Sequence, residues 1–437
     1  MSKKNFFKGT FLLTSAGLFS RIMGFFYRIF LSYTIGAEGI GRYQLAVPIQ
    51  QLVIAMTTSG IQTALSRLIS SHFALGEEKK AHNIFCIGTI LAVSLSLAAS
   101  WLLFTFSDFF AAQILKAPDI SSLIRLLSFS FPFAAIHSCT NSYYLGQKKA
   151  AFPAGTQLLE QSVRIFSSFI IYQICISKNL AVTASIAAAG AFLSEFAAAL
   201  FSLIFLSLSF HSHRYSFLTL DAPLKNLSEI NSIAFPLTLN RILLSVLSGM
   251  EVILIPQRLC MYGLDQSNAL TLYGIFTGMA LPFILFPSTI ASSASVMLTP
   301  SVAEMQALGH QNRLTYITKR TTSVCIILGS LCTAIFYFLG SSAGVLLFHN
   351  ADAGIYIKTL SFICPFLYTN ISLTSILNGL GQTKRTLIHS ISGVCLRIFF
   401  VLFAIPTVGI RGYLYGILLS EILLSILHIY ALYRINS

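Results

Sequence analysis

Charge is scarce in this sequence, and acid above all. Asp and Glu number 14 against 28 Lys and Arg in 437 residues, and the four together make up 10% of the chain. A soluble globular domain carries about 25%, so a soluble fold is excluded and most of the chain belongs in lipid. The formal net charge of +14 then reads as basic cytoplasmic loops rather than a nucleic-acid surface. No CxxC and no Cys/His cluster occurs, which excludes a zinc site or a disulfide framework. Cys86, Cys139, Cys175, Cys325, Cys332, Cys364 and Cys395 fall in apolar segments and read as small buried hydrophobes, with Cys260 alone in a loop. No GxxxxGK[ST] is present, which argues against ATP hydrolysis. His211 and His213 lie in a loop without a nearby nucleophile. The expectation is therefore not an enzyme, with no cofactor or metal, and a coupling ion, Na⁺ or H⁺, left open.

What is abundant is apolar length. Hydrophobic residues make up 55% of the chain and mean hydropathy is +0.78. About twelve runs are long enough to cross a bilayer: 7–35, 43–73, 82–107, 121–145, 151–176, 181–210, 227–256, 268–299, 316–348, 355–380, 386–407 and 411–433. Lys3, Lys4 and Lys8 before the first run resemble a signal peptide. That run is too long for one and contains Arg21, so it reads as a retained first helix. Lys79, Lys80, Lys148, Lys149, Lys384 and Arg385 fall on one side of the predicted topology, against fewer basic residues such as Lys116 and Lys178 on the other. This places both termini in the cytoplasm of a multi-pass cell-membrane protein.

The chain repeats itself. Ser128-Phe129, Pro132-Phe133 and Arg164-Ile165-Phe166 recur as Ser361-Phe362, Pro365-Phe366 and Arg397-Ile398-Phe399, at a constant offset of 233 in the numbering (365 minus 132). Leu145-Gly146-Gln147 recurs as Leu380-Gly381-Gln382, offset 235. Gly190, Ser194 and Glu195 match Gly416, Ser420 and Glu421, offset 226. Ser20-Arg21-Ile22 matches Asn240-Arg241-Ile242, offset 220. The fold expected is all-α: two pseudo-symmetric six-helix lobes, 1–212 and 227–437, joined by a cytoplasmic linker at 213–226, around a central cavity. Because both halves start on the same side, the repeat is parallel, an arrangement associated with transport.

The repeat sorts the buried charges. Arg164 and Glu195 lie midway along the fifth and sixth runs, and Arg397 and Glu421 occupy the equivalent places. They are expected as salt bridges within each lobe, with Glu160, four residues before Arg164, able to share it. A coupling role for Glu195 or Glu421 is the alternative. Arg21 and Arg28 are seven residues apart, on one helical face with Gly24 between them. A mid-span arginine costs about 2.5–3.5 kcal/mol on insertion scales, so it must meet water, a counter-charge or an anionic ligand. The first and seventh runs hold one acid, Glu251, between them. Arg21, Arg28 and Arg241, with Arg67 near the cytoplasmic mouth, are the expected lining of a hydrated cavity for an anion such as a diphosphate.

Ser20-Arg21-Ile22-Met23-Gly24-Phe25, Gly36-Ala37-Glu38-Gly39-Ile40-Gly41, Tyr43-Gln44, Pro48, Gly60-Ile61, Leu65-Ser66-Arg67 and Tyr144-Leu145-Gly146-Gln147 resemble the polysaccharide-transporter branch of the multidrug/oligosaccharidyl-lipid/polysaccharide exporter superfamily. The resemblance implies two six-helix lobes with a cavity lined by the first, second, seventh and eighth helices. It implies a flippase that moves a polyprenyl-diphosphate-linked oligosaccharide or peptidoglycan precursor by alternating access, serving wall, capsule or sporulation. Partners would be the lipid-linked precursor, membrane lipids and cell-wall or capsule polymerases, with no nucleic acid. Arg21 matches the position of a family arginine thought to engage the diphosphate. Lipid II flippases of the superfamily have two further C-terminal helices beyond the twelve expected here. The alternative is a cation-coupled multidrug exporter of the same superfamily. Such exporters carry an acid in the first helix, where this chain has arginines.

Overall fold

The computed structural model describes residues 3–213, 222–308 and 310–436, and all regular structure among them is helical. Fourteen helices carry the description: α1 Lys3–Thr34, α2 Gly36–Ala74, α3 Glu78–Thr105, α4 Pro118–Ser128, α5 Ser130–Gly146, α6 Ala151–Ser177, α7 Ser185–His213, α8 Pro223–Met261, α9 Gln266–Leu285, α10 Ser288–Ala307, α11 Gln311–Phe348, α12 Ala351–Gly379, α13 Thr383–Phe403 and α14 Ile410–Asn436. Nine are long and apolar enough to cross a membrane among the described residues, and ten if α4 and α5, bent by 41°, form one span. Helices α1 and α6 fall outside that count although they run 32 and 27 residues, more than the about 20 that a bilayer needs. Each carries charges within its apolar length: Arg21 and Arg28 in α1, Glu160 and Arg164 in α6. The eighth expected span is broken, because Pro287, between α9 and α10, has no N–H to continue the ladder.

The bend between α4 and α5 has a local cause. Pro132 cannot donate to the carbonyl of Ser128, four residues back. Ser100 of α3 supplies the missing donor, its hydroxyl reaching Ser128 O at 2.6 Å. The second half does the same thing. Pro365 frees Ser361 O, and Thr333 of α11 donates to it at 2.7 Å. Ser100 and Thr333 are themselves related by the offset of 233 (333 minus 100), so the repeat extends to the hydroxyl that repairs the kink. Close packing also follows the repeat. A Cβ on Gly146 would stand 2.6 Å from Ile69, and one on Gly379 3.0 Å from Val302. Both pairs keep the 233 offset, so the structural counterpart of Gly146 is Gly379 rather than Gly381.

Two compact units divide the chain. One comprises Met1–Gly24 and Leu45–Gly249, the other Phe25–Gln44 and Met250–Ser437. Relative to a division at 212 and 227, residues 25–44 group with the second half and 227–249 with the first. Of the linker expected at 213–226, residues 214–221 lie outside the described residues.

In the first unit, the core gathers Leu65, Ile69, Ile84, Phe85, Cys139 and Tyr143 from α2, α3 and α5. The start of α8 docks on α2: a Cβ on Gly60 would lie 2.0 Å from Thr238 Oγ1 and 2.6 Å from Ala234 O. His72, at the end of α2, sits 2.7 Å from Glu77 and 3.3 Å from Glu229 of α8. In the second unit, the first turns of α2 lie against α9 backbone to backbone. A Cβ on Gly41 would be 2.1 Å from Leu270 O, and one on Gly274 2.0 Å from Ala37 O. Only glycine permits that approach.

Candidate substrate-binding arginines and buried charge clusters

Arg21 is exposed on α1. Its helical face also carries Gly17 and Gly24, whose nearest neighbours in the first unit are the amides of Gln157 and Gln161 on α6. The glycines leave room beside Arg21. Among the described residues Arg21 has no acidic partner. Arg241 of α8 is exposed and donates from Nη2 to Thr63 Oγ1 at 3.2 Å. Arg67, exposed, lies one turn further along α2 on that face. The first unit thus brings Arg241 and Arg67 to one stretch of α2.

Arg28 belongs to the second unit, where its Nη1 donates to Thr277 O at 3.4 Å. Thr277 lies in a π-helical segment of α9, Ile275–Ala280. A second π-helical segment, Ala55–Ser59, interrupts α2. A π-turn shifts the N–H partner to i−5, leaving an i−4 carbonyl over. In both segments a threonine hydroxyl takes it: Thr57 donates to Val53 O at 2.8 Å and Thr277 to Tyr273 O at 2.7 Å. The two threonines keep the offset of 220 (277 minus 57) that relates Arg21 to Arg241. Single-turn π-segments occur frequently at functional sites.

The buried charges pair differently from the sequence expectation. Arg164 binds Glu160 at 2.5 Å, one turn away on α6, and donates from Nε to Ser194 Oγ at 3.3 Å. The acid expected for it, Glu195, lies 2.7 Å from His137 Nε2 of α5. In the second unit Arg397 donates from Nε to Glu251 Oε1 at 2.6 Å, and Tyr413 donates to the same oxygen at 2.8 Å. The acid expected for Arg397, Glu421, accepts from Asn370 Nδ2 at 2.8 Å instead. The repeat survives at a finer level. His137 and Asn370 share the 233 offset (370 minus 137), and each faces an acid, Glu195 of α7 or Glu421 of α14. The extra acids, Glu160 and Glu251, have no counterparts in the other half, where Gly393 and Leu31 stand at the equivalent offsets.

Sequence reasoning missed His137, Asn370 and Tyr413. The signal for the first two was present, since both fall inside the repeated segment that holds Pro132 and Pro365. Nothing in the sequence pointed to Glu251 as the partner of Arg397, 146 residues away. His137, Glu160 and Glu195 bring ligand-type atoms within 4.8 Å of one another. Arg164 already supplies a cation to that cluster, so we do not read it as a metal centre.

The polysaccharide biosynthesis protein family matches residues 6–306 of the chain. The chain belongs to this family. The chain is 28% identical to stage V sporulation protein B of Bacillus subtilis (strain 168) over 98% of its own length and 83% of that protein's. It is 21% identical to lipid II flippase MurJ of the same organism, over 90% of this chain and 76% of that one. Among solved structures it resembles an inward-facing multidrug resistance MATE family transporter of the MOP superfamily. The TM-score is 0.77 at 15% identity, covering 95% of this chain and 94% of the other. The family member described here is thus an all-α, multi-span membrane protein with a MATE-like transporter fold along the chain.

Proposed function

We propose that this protein is a flippase that moves a polyprenyl-diphosphate-linked oligosaccharide or peptidoglycan precursor from the inner to the outer leaflet of a bacterial cytoplasmic membrane. The observation that carries the reading is Arg21: an exposed guanidinium midway along a membrane-length helix, flanked on its face by glycines, with no acid anywhere in α1. A charge in that position is tolerated where water or an anion meets it. A diphosphate fits the planar fork of a guanidinium in bidentate fashion. Arg67 and Arg241 supply further positive charge in the first unit, and Arg28 in the second. The relationship to a lipid II flippase supports the substrate class, and the relationship to a stage V sporulation protein supports a setting in sporulation. Both termini lie in the cytoplasm on this reading, and the translocated precursor would be consumed by a wall or capsule polymerase on the outer face.

The test is leaflet-resolved labelling of the lipid-linked precursor in cells that depend on this protein. Arg21→Ala, expressed at normal level, is expected to abolish outer-leaflet exposure. Exposure at the wild-type rate in Arg21→Ala and in Arg241→Ala would defeat the reading.

A further inference from the structure

The first unit holds a buried titratable group that the arginine site does not use. His137 of α5 is buried, as is Glu195 of α7, with Nε2 and Oε2 2.7 Å apart. Glu160 and Arg164 of α6 are the other charged groups that act on His137. No other charged group joins them from α2 or α3, which also pack on α5, among the described residues. Two carboxylates and one guanidinium leave the cluster one negative charge in excess if His137 is neutral. A buried, unbalanced charge in a membrane span is costly. A second proton on the His137 ring balances it; a divalent ion would exceed the need.

The hydrogen bonds on the far side of the ring give this proton a structural readout. Asn141 Nδ2 lies 3.5 Å from His137 Nδ1, and Asn141 Oδ1 accepts from Thr156 Oγ1 of α6 at 3.1 Å. Thr156 Oγ1 also lies 2.7 Å from Phe152 O, yet a hydroxyl has only one proton to give. With the Asn141 amide as it stands, Nδ1 is an acceptor, the single ring proton sits on Nε2, which faces Glu195 Oε2 at 2.7 Å, and His137 is neutral. Turning the amide over gives a second complete set. Thr156 then donates to Phe152 O alone, Asn141 Nδ2 donates to Thr156 Oγ1, and Asn141 Oδ1 accepts from Nδ1–H. His137 now carries two protons, the second drawn from water. The two sets differ by one proton and one amide flip.

The other half of the molecule is the control. There Asn370 stands where His137 does and holds Glu421 at 2.8 Å. Asn370 Oδ1 accepts from Ser425 at 2.8 Å. An amide therefore suffices to anchor this acid between helices, and an ionisable ring does more than anchoring requires.

We propose that His137 is a proton-binding site, neutralised by Glu195, whose protonation is relayed through Asn141 and Thr156 to α6.

The direct test is nitrogen NMR of histidine-labelled protein in nanodiscs, with His137→Asn identifying the resonance. We expect the His137 imidazole to pass from its two-proton to its one-proton form as the pH is raised. Glu195→Gln should abolish that change. Thr156→Val should move it to lower pH, because the two-proton set loses one hydrogen bond more than the one-proton set, and Thr156→Ser should leave it unchanged. His137→Asn should still fold, because the second half already uses that residue. An imidazole that keeps one proton throughout, or titrates identically in Glu195→Gln, overturns the proposal. So does a titration that sodium displaces, since a metal ion would then be the occupant. A second readout rests on the flippase reading: precursor translocation in the wild type should depend on pH, and His137→Asn should lose that dependence. If the wild type moves no precursor at any pH, the flippase reading fails while the NMR titration still decides the proton site.

Discussion

Arg397 Nε donates to Glu251 Oε1 at 2.6 Å, joining α13 to α8 within the second unit. The side chains are 19% and 6% exposed, so both charges are largely withdrawn from the surface. Removing one member of such a pair strands the other and costs about 3–5 kcal/mol, whereas replacing both by apolar groups of similar volume is often neutral. Glu251→Gln is therefore expected to lower the thermal unfolding temperature in detergent strongly. Glu251→Leu with Arg397→Met and Tyr413→Phe, which removes the hydroxyl that also binds Glu251, should restore most of it. A Glu251→Gln protein as stable as wild type would show that the pair contributes nothing.

The hydroxyls at the two proline kinks make a matched pair of tests. Ser100→Ala leaves Ser128 O without its donor, and Thr333→Val does the same to Ser361 O. Each is expected to cost about 1–3 kcal/mol, the penalty of an unsatisfied buried polar group, while Ser100→Thr and Thr333→Ser keep the donor. Unfolding curves of the four variants distinguish a hydroxyl effect from a packing effect. Equal loss in the conservative and non-conservative variants would count against the repair role.

At Arg21 the chemistry of the head group separates charge from geometry. Arg21→Lys keeps the charge and loses the planar fork. Losing a hydrogen-bonded contact to a desolvated charged partner costs about 2–5 kcal/mol, or roughly 30-fold and more in rate or affinity. Translocation in Arg21→Lys should therefore fall between the wild type and the inactive Arg21→Ala. Full activity in Arg21→Lys would mean that only the local potential matters. Membrane levels of each variant, measured alongside, should be unchanged.

Gly60 tests the docking of α8 on α2. Alanine is the better helix former by about 1 kcal/mol, yet a Cβ here would meet Thr238 Oγ1 at 2.0 Å and Ala234 O at 2.6 Å. Overpacking typically costs about 1–3 kcal/mol. Gly60→Ala should destabilise despite its helix propensity, and Thr238→Ala should recover only part of the loss, because the Ala234 carbonyl stays in place.

The distribution of basic loops predicts the topology. Reporter fusions after Lys80, Lys149 and Arg385 should read cytoplasmic, and fusions near Lys116 and Lys178 external. A C-terminus found outside the cell would overturn both the orientation and the parallel repeat.

The sequence alone determined the solvent, the element type and the repeat. Long apolar runs leave the backbone no choice in lipid but to satisfy itself as helix, and the Pro132/Pro365 and Arg164/Arg397 echoes are visible without coordinates. It also isolated Arg21, because charge inside such a run is conspicuous. Only the tertiary structure decided who pairs with whom. Arg164 and Glu195 occupy places equivalent to those of Arg397 and Glu421, which suggested the direct bridges. A bridge, however, depends on where helices from distant parts of the chain pack, and on which side chains reach across at hydrogen-bonding distance. Glu160 was closer to Arg164 on its own helix. Glu251 reached Arg397 from 146 residues away. His137 and Asn370, silent within apolar helices, were left to hold the two acids. Periodicity fixes which face a residue occupies; it carries no information about what stands opposite that face.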